Sequence, residues 1–477
     1  MISAREMAVV DENTAALGVP RKQLMESSGN AVARTVRDLV DPGASLAVVC
    51  GRGNNGGDAM VAARFLDEYD QTIHLLGRPG TISTEISREN WDALQRSEYD
   101  TRVVTDSTAF GLDGPDLVVD AMLGTGVTGS LREPEATAAR VMNEADAPVL
   151  SVDVPSGMDV DTGDAPGTAV EADHVVTFYD AKPGLEALAA TVRVERIGIP
   201  AAAAEFVERG DLLRLSRDPD AHKGDFGEVL VVGGGPYTGA PALAGRAAFR
   251  AGADLVRIAC PESLADEIQT YSESYILRPY DTDRFAPPVV DDVLQLADEH
   301  DCVVVGPGLG DAGETLEAVA EFLRSYDGRA VVDADALQVV PEVETDATLV
   351  CTPHQGELAA MGGGTSDDWR ERRGLVESFA ADLGQTVLAK GKYDVISDGD
   401  RTRVNRTGNP GMTVGGTGDV LAGATAALAC TLDPHPAASL GAYANGRAGD
   451  LVVEDQGYGL TARQLADELP HALWSDR

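Results

Sequence analysis

Short apolar runs separated by helix-compatible segments recur along the 477-residue chain. In the first half they read LAVVCG (46–51), IHLLG (73–77), LVVDAML (117–123), VLSVDVPS (149–156) and HVVTFY (174–179). Unbroken apolar strands joined by helices predict a parallel sheet covered on both faces. The rhythm pauses at IPAAAAEFVERGDLLRLSRDPDAHKGDFG. A second series follows: EVLVVGG (228–234), DLVRIAC (254–260), CVVVGPG (302–308), AVVDADAL (330–337), TLVCTPH (348–354) and TVLAKG (386–391). YDVISD and TRVNRTG then predict an antiparallel pair. No internal repeat relates the halves, so two different α/β domains are expected, 1–213 and 214–477, which suits a chain of this length.

Charge narrows the partners. The chain carries 78 acidic and 38 basic residues, a formal net charge of −40, and only five of the basic residues are lysines. Such a surface repels nucleic acid and anionic membranes, so neither is an expected partner. Abundant carboxylates with scarce lysine fit a halophilic protein, because concentrated salt screens the self-repulsion. The five cysteines form no CxxC and mostly end or begin apolar runs, so buried reduced thiols are expected rather than disulfides or zinc ligands. The N-terminal MISAREMAVVDENTAAL has charges where a signal peptide needs an apolar core, and no apolar run reaches membrane-spanning length. A soluble, cytoplasmic homo-oligomer is expected.

Three loops carry the chemistry of the first half. GRGNNGGDAM (51–60) follows the first strand and opens a helix. Glycines there let backbone N–H groups approach a phosphate, although a tight strand-to-helix turn has the same look and the spacing is not GxGxxG. DAMLGTGVTGSL (120–131) and DVPSGMD (153–159) end two further strands. Strand C-termini of a doubly wound sheet converge on a ligand crevice. Asn55, Asp120 and Ser156 are hard oxygen donors of low total charge, which suits K+ better than zinc.

NNGGD, DAMLGTG and DVPSGMD together resemble the NAD(P)HX epimerase family over about 200 residues. The resemblance implies a Rossmann-like fold. It implies that Asn54, Asn55, Gly56, Gly57 and Asp58, with Gly124, Thr125, Gly126, Val127, Thr128, Gly129 and Ser130, contact a hydrated nicotinamide nucleotide. It also implies that K+ binds Asn55, Asp120 and Ser156, and that Asp153 sits at the substrate. The substrate would be NADHX or NADPHX, hydrated at C6 of the nicotinamide ring. Epimerisation there passes through loss and return of the hydroxyl or through ring opening, so a carboxylate for proton transfer is needed, and Asp153 is the candidate.

The second half ends on NPGMTVGGTGDVLAG (409–423), four glycines and one carboxylate ahead of an apolar helix. Glycines before a helix offer N–H groups to a phosphoryl group, and the helix dipole favours that anion. Asp419 would then be the base for a substrate hydroxyl attacking phosphorus. GTGD alone could equally be a helix cap. It stands in order behind VVGGGPYTGAP, VVGPGLG, DADAL, TPHQGE and AKGKYD. This ensemble resembles the ribokinase-like fold, and within it the ADP-dependent NAD(P)H-hydrate dehydratases. By that resemblance Ala253, Gly308, His354 and Asp419 line the hydrate pocket. Lys390, Gly391, Lys392, Tyr393, Asp394 and Gly418 meet the adenine nucleotide, with ADP as co-substrate and Mg2+ bridging its phosphates. Hydroxide leaves poorly, so phosphorylation by ADP followed by loss of phosphate would restore the double bond. The rival readings are a ribokinase-type kinase for a vitamin precursor, against which TPHQGE and the epimerase pattern argue, and a non-catalytic nucleotide-binding regulator, which would not need both Asp153 and Asp419.

Overall fold

A computed structural model describes residues 1–126 and 129–475. The chain divides into two compact units, Met1–Ala203 and Ala204–Arg477. The segment 204–213, expected to close the first domain, packs within the second unit. There the Val207 N–H donates to the Val404 carbonyl at 2.9 Å, and Arg403 pairs with Asp211 at 2.9 Å.

The first unit is a seven-stranded sheet in the order β3-β2-β1-β4-β5-β6-β7. Its strands are β1 (Ser45–Cys50), β2 (Asp70–Leu76), β3 (Asp100–Val104), β4 (Leu117–Ala121), β5 (Val149–Val152), β6 (His174–Phe178) and β7 (Thr191–Glu195). Every pairing is parallel. The order reverses between β1 and β4, so the crevice beyond their C-terminal ends is where such a sheet takes a ligand. The apolar runs are buried on both faces because helices cover both, Arg21–Leu39 and Asn54–Arg64 on one and Glu135–Asn143 on the other.

The second unit holds nine strands in the order β10-β9-β8-β11-β12-β13-β14-β15-β16. They are β8 (Glu228–Val232), β9 (Leu255–Pro261), β10 (Ile276–Tyr280), β11 (Cys302–Val305), β12 (Arg329–Val332), β13 (Thr348–Cys351), β14 (Thr386–Ala389), β15 (Asp394–Ser397) and β16 (Thr402–Asn405). All pair in parallel except β14–β15 and β15–β16, the antiparallel pair that the sequence predicts. Here the order reverses between β8 and β11. The helix Thr417–Ala429 crosses the helix Gly239–Ala251 at Gly423, where any Cβ would strike the Ala244 carbonyl. That glycine therefore serves close packing and not ligand approach.

Three strands that the apolar pattern does not mark, β3, β7 and β10, all lie at sheet edges. Edge strands keep one side in solvent and carry polar residues there, as in DTRVV and TVRVE, so they lack an unbroken apolar run. Cys50, Cys260, Cys302 and Cys351 are buried free thiols, and Cys430 is a half-buried one. No helix among the described residues is long and apolar enough to cross a membrane.

Two candidate active sites

In the first unit the expected loops meet at the β1/β4 switch point. Asp120, the fourth residue of β4, is fully buried. Its Oδ1 accepts from the Ser156 hydroxyl (2.7 Å) and the Met122 N–H (3.2 Å), and its Oδ2 from the Ser156 N–H (2.9 Å) and the Ser151 hydroxyl (2.8 Å). Burial pushes this carboxyl above its ordinary value, and those four donors pull against the shift. Asn55 donates from Nδ2 to the Leu123 carbonyl at 2.9 Å, while its buried Oδ1 has no hydrogen-bond partner. Ser156 Oγ lies 3.3 Å from the same carbonyl. An orphaned amide oxygen, a hydroxyl, a carbonyl and one carboxylate make an oxygen-rich set of low charge.

Asp153 follows β5 with a φ of +67°, a conformation uncommon outside glycine, which aspartate tolerates better than most residues. Its N–H donates to the Val176 carbonyl at 2.7 Å. Oδ1 accepts from the Thr177 hydroxyl at 3.0 Å and lies 2.9 Å from the Lys182 ammonium, whose side chain is almost fully buried. Lys182 also donates to Thr177 Oγ1 (2.7 Å) and the Phe178 carbonyl (2.8 Å). A Cβ built on Gly124 would lie 3.6 Å from Asp153 Oδ2 and 3.3 Å from Asn55 Cβ. The free side of Asp153 thus faces the Gly124 loop and Asn55.

Two further carboxyls feel Asp153. Burial first, and Asp153 second, push Asp11 up to about 6. Burial likewise raises Asp58, which accepts from the Ser28 hydroxyl. Sequence reasoning missed Lys182 and Asp11. Lys182 had a signal: it is one of five lysines in a chain that otherwise uses arginine.

The expected nucleotide contacts divide. Asn54 is exposed at the start of its helix, Gly124 and Thr125 are partly open, and Gly126 is exposed. Gly56 and Gly57 are buried, and their missing side chains make room for the Gly51 carbonyl and for Ser87 and Met25. The Gly57 N–H donates to the Gly53 carbonyl. The absence of a side chain at these two glycines therefore serves packing. Gly129 and Ser130 are exposed, whereas Val127 and Thr128 lie outside the described residues.

In the second unit the C-terminal ends of β12, β13 and β14 bring Asp333, His354 and Lys390 beside the start of the helix Thr417–Ala429. Lys390 Nζ lies 2.9 Å from Asp333 Oδ1 and 3.6 Å from Glu357 Oε2. Thr352 Oγ1 donates to Asp333 Oδ1 at 2.7 Å. A Cβ on Gly418 would lie 3.5 Å from Lys390 Nζ and 3.8 Å from Asp333 Oδ2. Burial works against the Lys390 charge, but Asp333 and Glu357 outweigh it and hold the ammonium above its ordinary value. Burial and then Asp333 push Asp419 up to about 7, with Lys390 opposing. Gly416 has a φ of +94° and turns the chain into the helix, while Gly415 has open space where a side chain would stand. The first-turn N–H groups of a helix lack intrahelical acceptors, so this end suits an anion.

His354 is exposed. Its Nδ1 accepts from the Glu357 N–H at 3.0 Å, and Glu357 Oε2 accepts from the His354 N–H at 2.6 Å, a reciprocal cap on Gln355–Ala360. Gly308 has a φ of +74° and adjoins the Tyr237 carbonyl and Ala240 Cβ. The loop 391–394 is braced from below. The buried Arg372 donates to the Tyr393 carbonyl at 2.6 Å, and the Gly391 N–H donates to Asp394 Oδ1 at 2.9 Å. Burial raises Asp394 to about 6. Tyr393 stacks on Trp369 at 5.4 Å, and the Lys392 ammonium lies 6.0 Å from the Tyr393 ring centre.

Ala253 lies apart from the other expected pocket residues. It is buried two residues before β9, where Asp254 N–H donates to the Gly227 carbonyl at the N-terminal edge of the sheet. Gly308, His354, Lys390 and Asp419 all stand beyond the opposite, C-terminal edge. An alanine is indistinct by sequence alone, and the one beside Gly308 is Ala240.

The fold and sites define a two-domain α/β enzyme, a doubly wound domain followed by a ribokinase-like one. A family model described as YjeF-related protein N-terminus matches residues 21–184, and one described as NAD(P)H-hydrate dehydratase matches 229–471. The chain belongs to the family of bifunctional NAD(P)H-hydrate repair enzymes, Nnr. It is 42% identical to the member from Methanothermobacter thermautotrophicus, over 98% of this chain and 94% of that one. To the Pyrobaculum aerophilum member it is 43% identical, over 99% and 98%. Among solved structures it is similar to the ADP/ATP-dependent NAD(P)H-hydrate dehydratase from Bacillus subtilis co-crystallised with ATP/Mg2+. There the identity is 28% and the TM-score 0.51, over 57% of this chain and 98% of that one.

Proposed function

We propose that the first unit epimerises the R and S forms of NADHX and NADPHX, and that the second dehydrates the S form to NAD(P)H, converting ADP to AMP and phosphate. The observation that carries the second activity is Asp419, lodged at a bare glycine-lined helix start beside the Asp333–Lys390 pair. In its unprotonated form Asp419 accepts the proton of the ring hydroxyl as that oxygen attacks phosphorus. Lys390 and the first-turn N–H groups draw the phosphoryl group, Gly415 and Gly418 leave it room, and Lys392 to Asp394 meet the nucleotide. Release of phosphate with a ring proton then restores the double bond. Mg2+ would supply positive charge against the phosphates, and Glu357, a partly exposed carboxylate of this site, is the residue that would hold it.

In the first unit Asp153 and Lys182 are the proton-handling pair at the hydrated carbon. K+ would be held by Asn55, Asp120 and Ser156, whose orphaned Asn55 Oδ1 fits a weakly charged cation, and it would supply a fixed positive charge there. A mixed hydrate pool incubated with Mg2+ and either ADP or ATP tests the assignment through recovery of NADH absorbance. Recovery of both epimers with ADP is expected. No recovery with either nucleotide would refute the reading.

Because the base form of Asp419 is the active one, kcat/KM for dehydration is expected to rise with pH through an acid limb near 7. A pH series on purified protein measures it, and a profile flat from about pH 5.5 to 8 would contradict the role given to Asp419.

A halophilic habit is a further proposal, supported by the net charge of −40. Paired carboxylates such as Asp113 with Arg102 are exposed, and such pairs contribute little. Screening the unpaired majority is the larger effect, so the melting temperature is expected to climb from dilute buffer to molar KCl. A melting temperature indifferent to KCl would remove this proposal.

A further inference from the structure

The DADAL segment has no part in the mechanism above, yet its first residue stands at the centre of the second site. Asp333 is buried at the end of β12, and its N–H donates to the Val305 carbonyl at 3.1 Å. Its backbone is fixed by a close approach, because Gly306 (φ +129°) packs where any Cβ would strike the Asp333 carbonyl. Its carboxylate is fixed as well. Oδ1 takes both the Thr352 hydroxyl and the Lys390 ammonium, and Oδ2 is turned toward Gly418, the residue before Asp419. A buried carboxylate held by a hydroxyl and an ammonium, with its second oxygen aimed at a catalytic helix start, does more than brace the fold.

We propose that Asp333 is a positioning residue for dehydration: it anchors Lys390 beside Gly418 and sets the charge that surrounds Asp419. This inference rests on Asp419 being the base. The charged groups around Asp419 are few. Asp333 comes from the end of β12 and Lys390 from the end of β14, with Glu357 and His354 behind Lys390 at the end of β13. Leu243 and Ala462 pack against Gly416 and Asn445 lies against the Thr417 carbonyl, none of them titratable. Among the described residues Asp333 is the carboxylate, and Lys390 the cation, that act on the base, with opposite effects.

Opposite signs give the test. Asp333→Asn removes a like charge and frees Lys390 to pair with Asp419, so the acid limb of kcat/KM for dehydration should move down by about one pH unit. Turnover should fall roughly tenfold, because a weaker base takes the proton less readily and Lys390 is no longer anchored. Lys390→Met should move the limb up instead. Thermal melts establish which variants fold, and if only one folds, its direction of displacement carries the test. Opposite displacements, or the expected one in a single folded variant, support the assignment. A limb that stays in place, or that moves the same way in both variants, overturns it and leaves Asp333 a structural residue. Wild-type protein keeps the two failures apart: the absence of any wild-type limb would defeat the role of Asp419 and this inference with it, whereas a wild-type limb that the variants do not move defeats only the inference.

Discussion

Asp419→Asn is expected to retain nucleotide binding while dehydration falls by about a hundred- to ten-thousand-fold, the usual cost of removing a general base. Asparagine keeps the size and polarity of the side chain at the helix start, so Gly416 and Gly418 can hold their conformations. What it removes is the acceptor for the ring-hydroxyl proton. The neighbouring carboxylates have other duties: Asp333 holds Thr352 and Lys390 on its Oδ1, and Glu357 accepts from the His354 N–H and pairs with Lys390. Epimerisation should continue at the wild-type rate, since its residues belong to the other unit. Measured with S hydrate, Mg2+ and ADP, a rate within a few-fold of wild type would show that Asp419 is not the base and that the loop only cradles phosphate.

The second large effect is expected from Asp153→Asn, in both epimerisation and stability. The Lys182 ammonium is buried and has Asp153 as its carboxylate partner, with Thr177 and the Phe178 carbonyl as neutral acceptors. Neutralising Asp153 removes the carboxylate paired with that charge and leaves only the longer-range attraction of Asp11 and Asp180, at a cost on the order of 3 kcal/mol to the first unit. Epimerisation should drop by at least about a hundredfold through loss of the proton-transfer group, and dehydration of S hydrate should be retained. The double variant Asp153→Asn with Lys182→Met separates the two effects. With both charges gone, stability measured by denaturant should recover most of the loss while epimerisation stays lost. Recovery of epimerisation along with stability would mean that the pair serves the fold alone.

Much of this was legible in sequence for one physical reason. A strand buried on both faces has no polar positions, so runs such as LAVVCG and EVLVVGG mark the sheet centre without ambiguity, and the glycine-rich segments after them must lie at strand C-termini. Asn55, Asp120, Ser156, His354 and Asp419 were picked out from that, whereas Asp153 and Lys390 were expected from the resemblance to known families. Edge strands β3, β7 and β10 did not, because solvent on one side relaxes their composition.

What the tertiary structure alone decided concerns partners distant in the chain. Nothing in sequence joins Lys182 to Asp153 across β6, or Lys390 to Asp333 across 57 positions, because an ion pair is specified by where two loops converge and not by spacing. The roles of the glycines were hidden for the same reason. Gly56 and Gly57 read like phosphate-binding residues, yet protein atoms crowd the space beside each, whereas Gly415 stands open. Ala253 shows the same limit: a small residue carries no chemical signature, so only the direction of the strands tells which edge of the sheet it occupies.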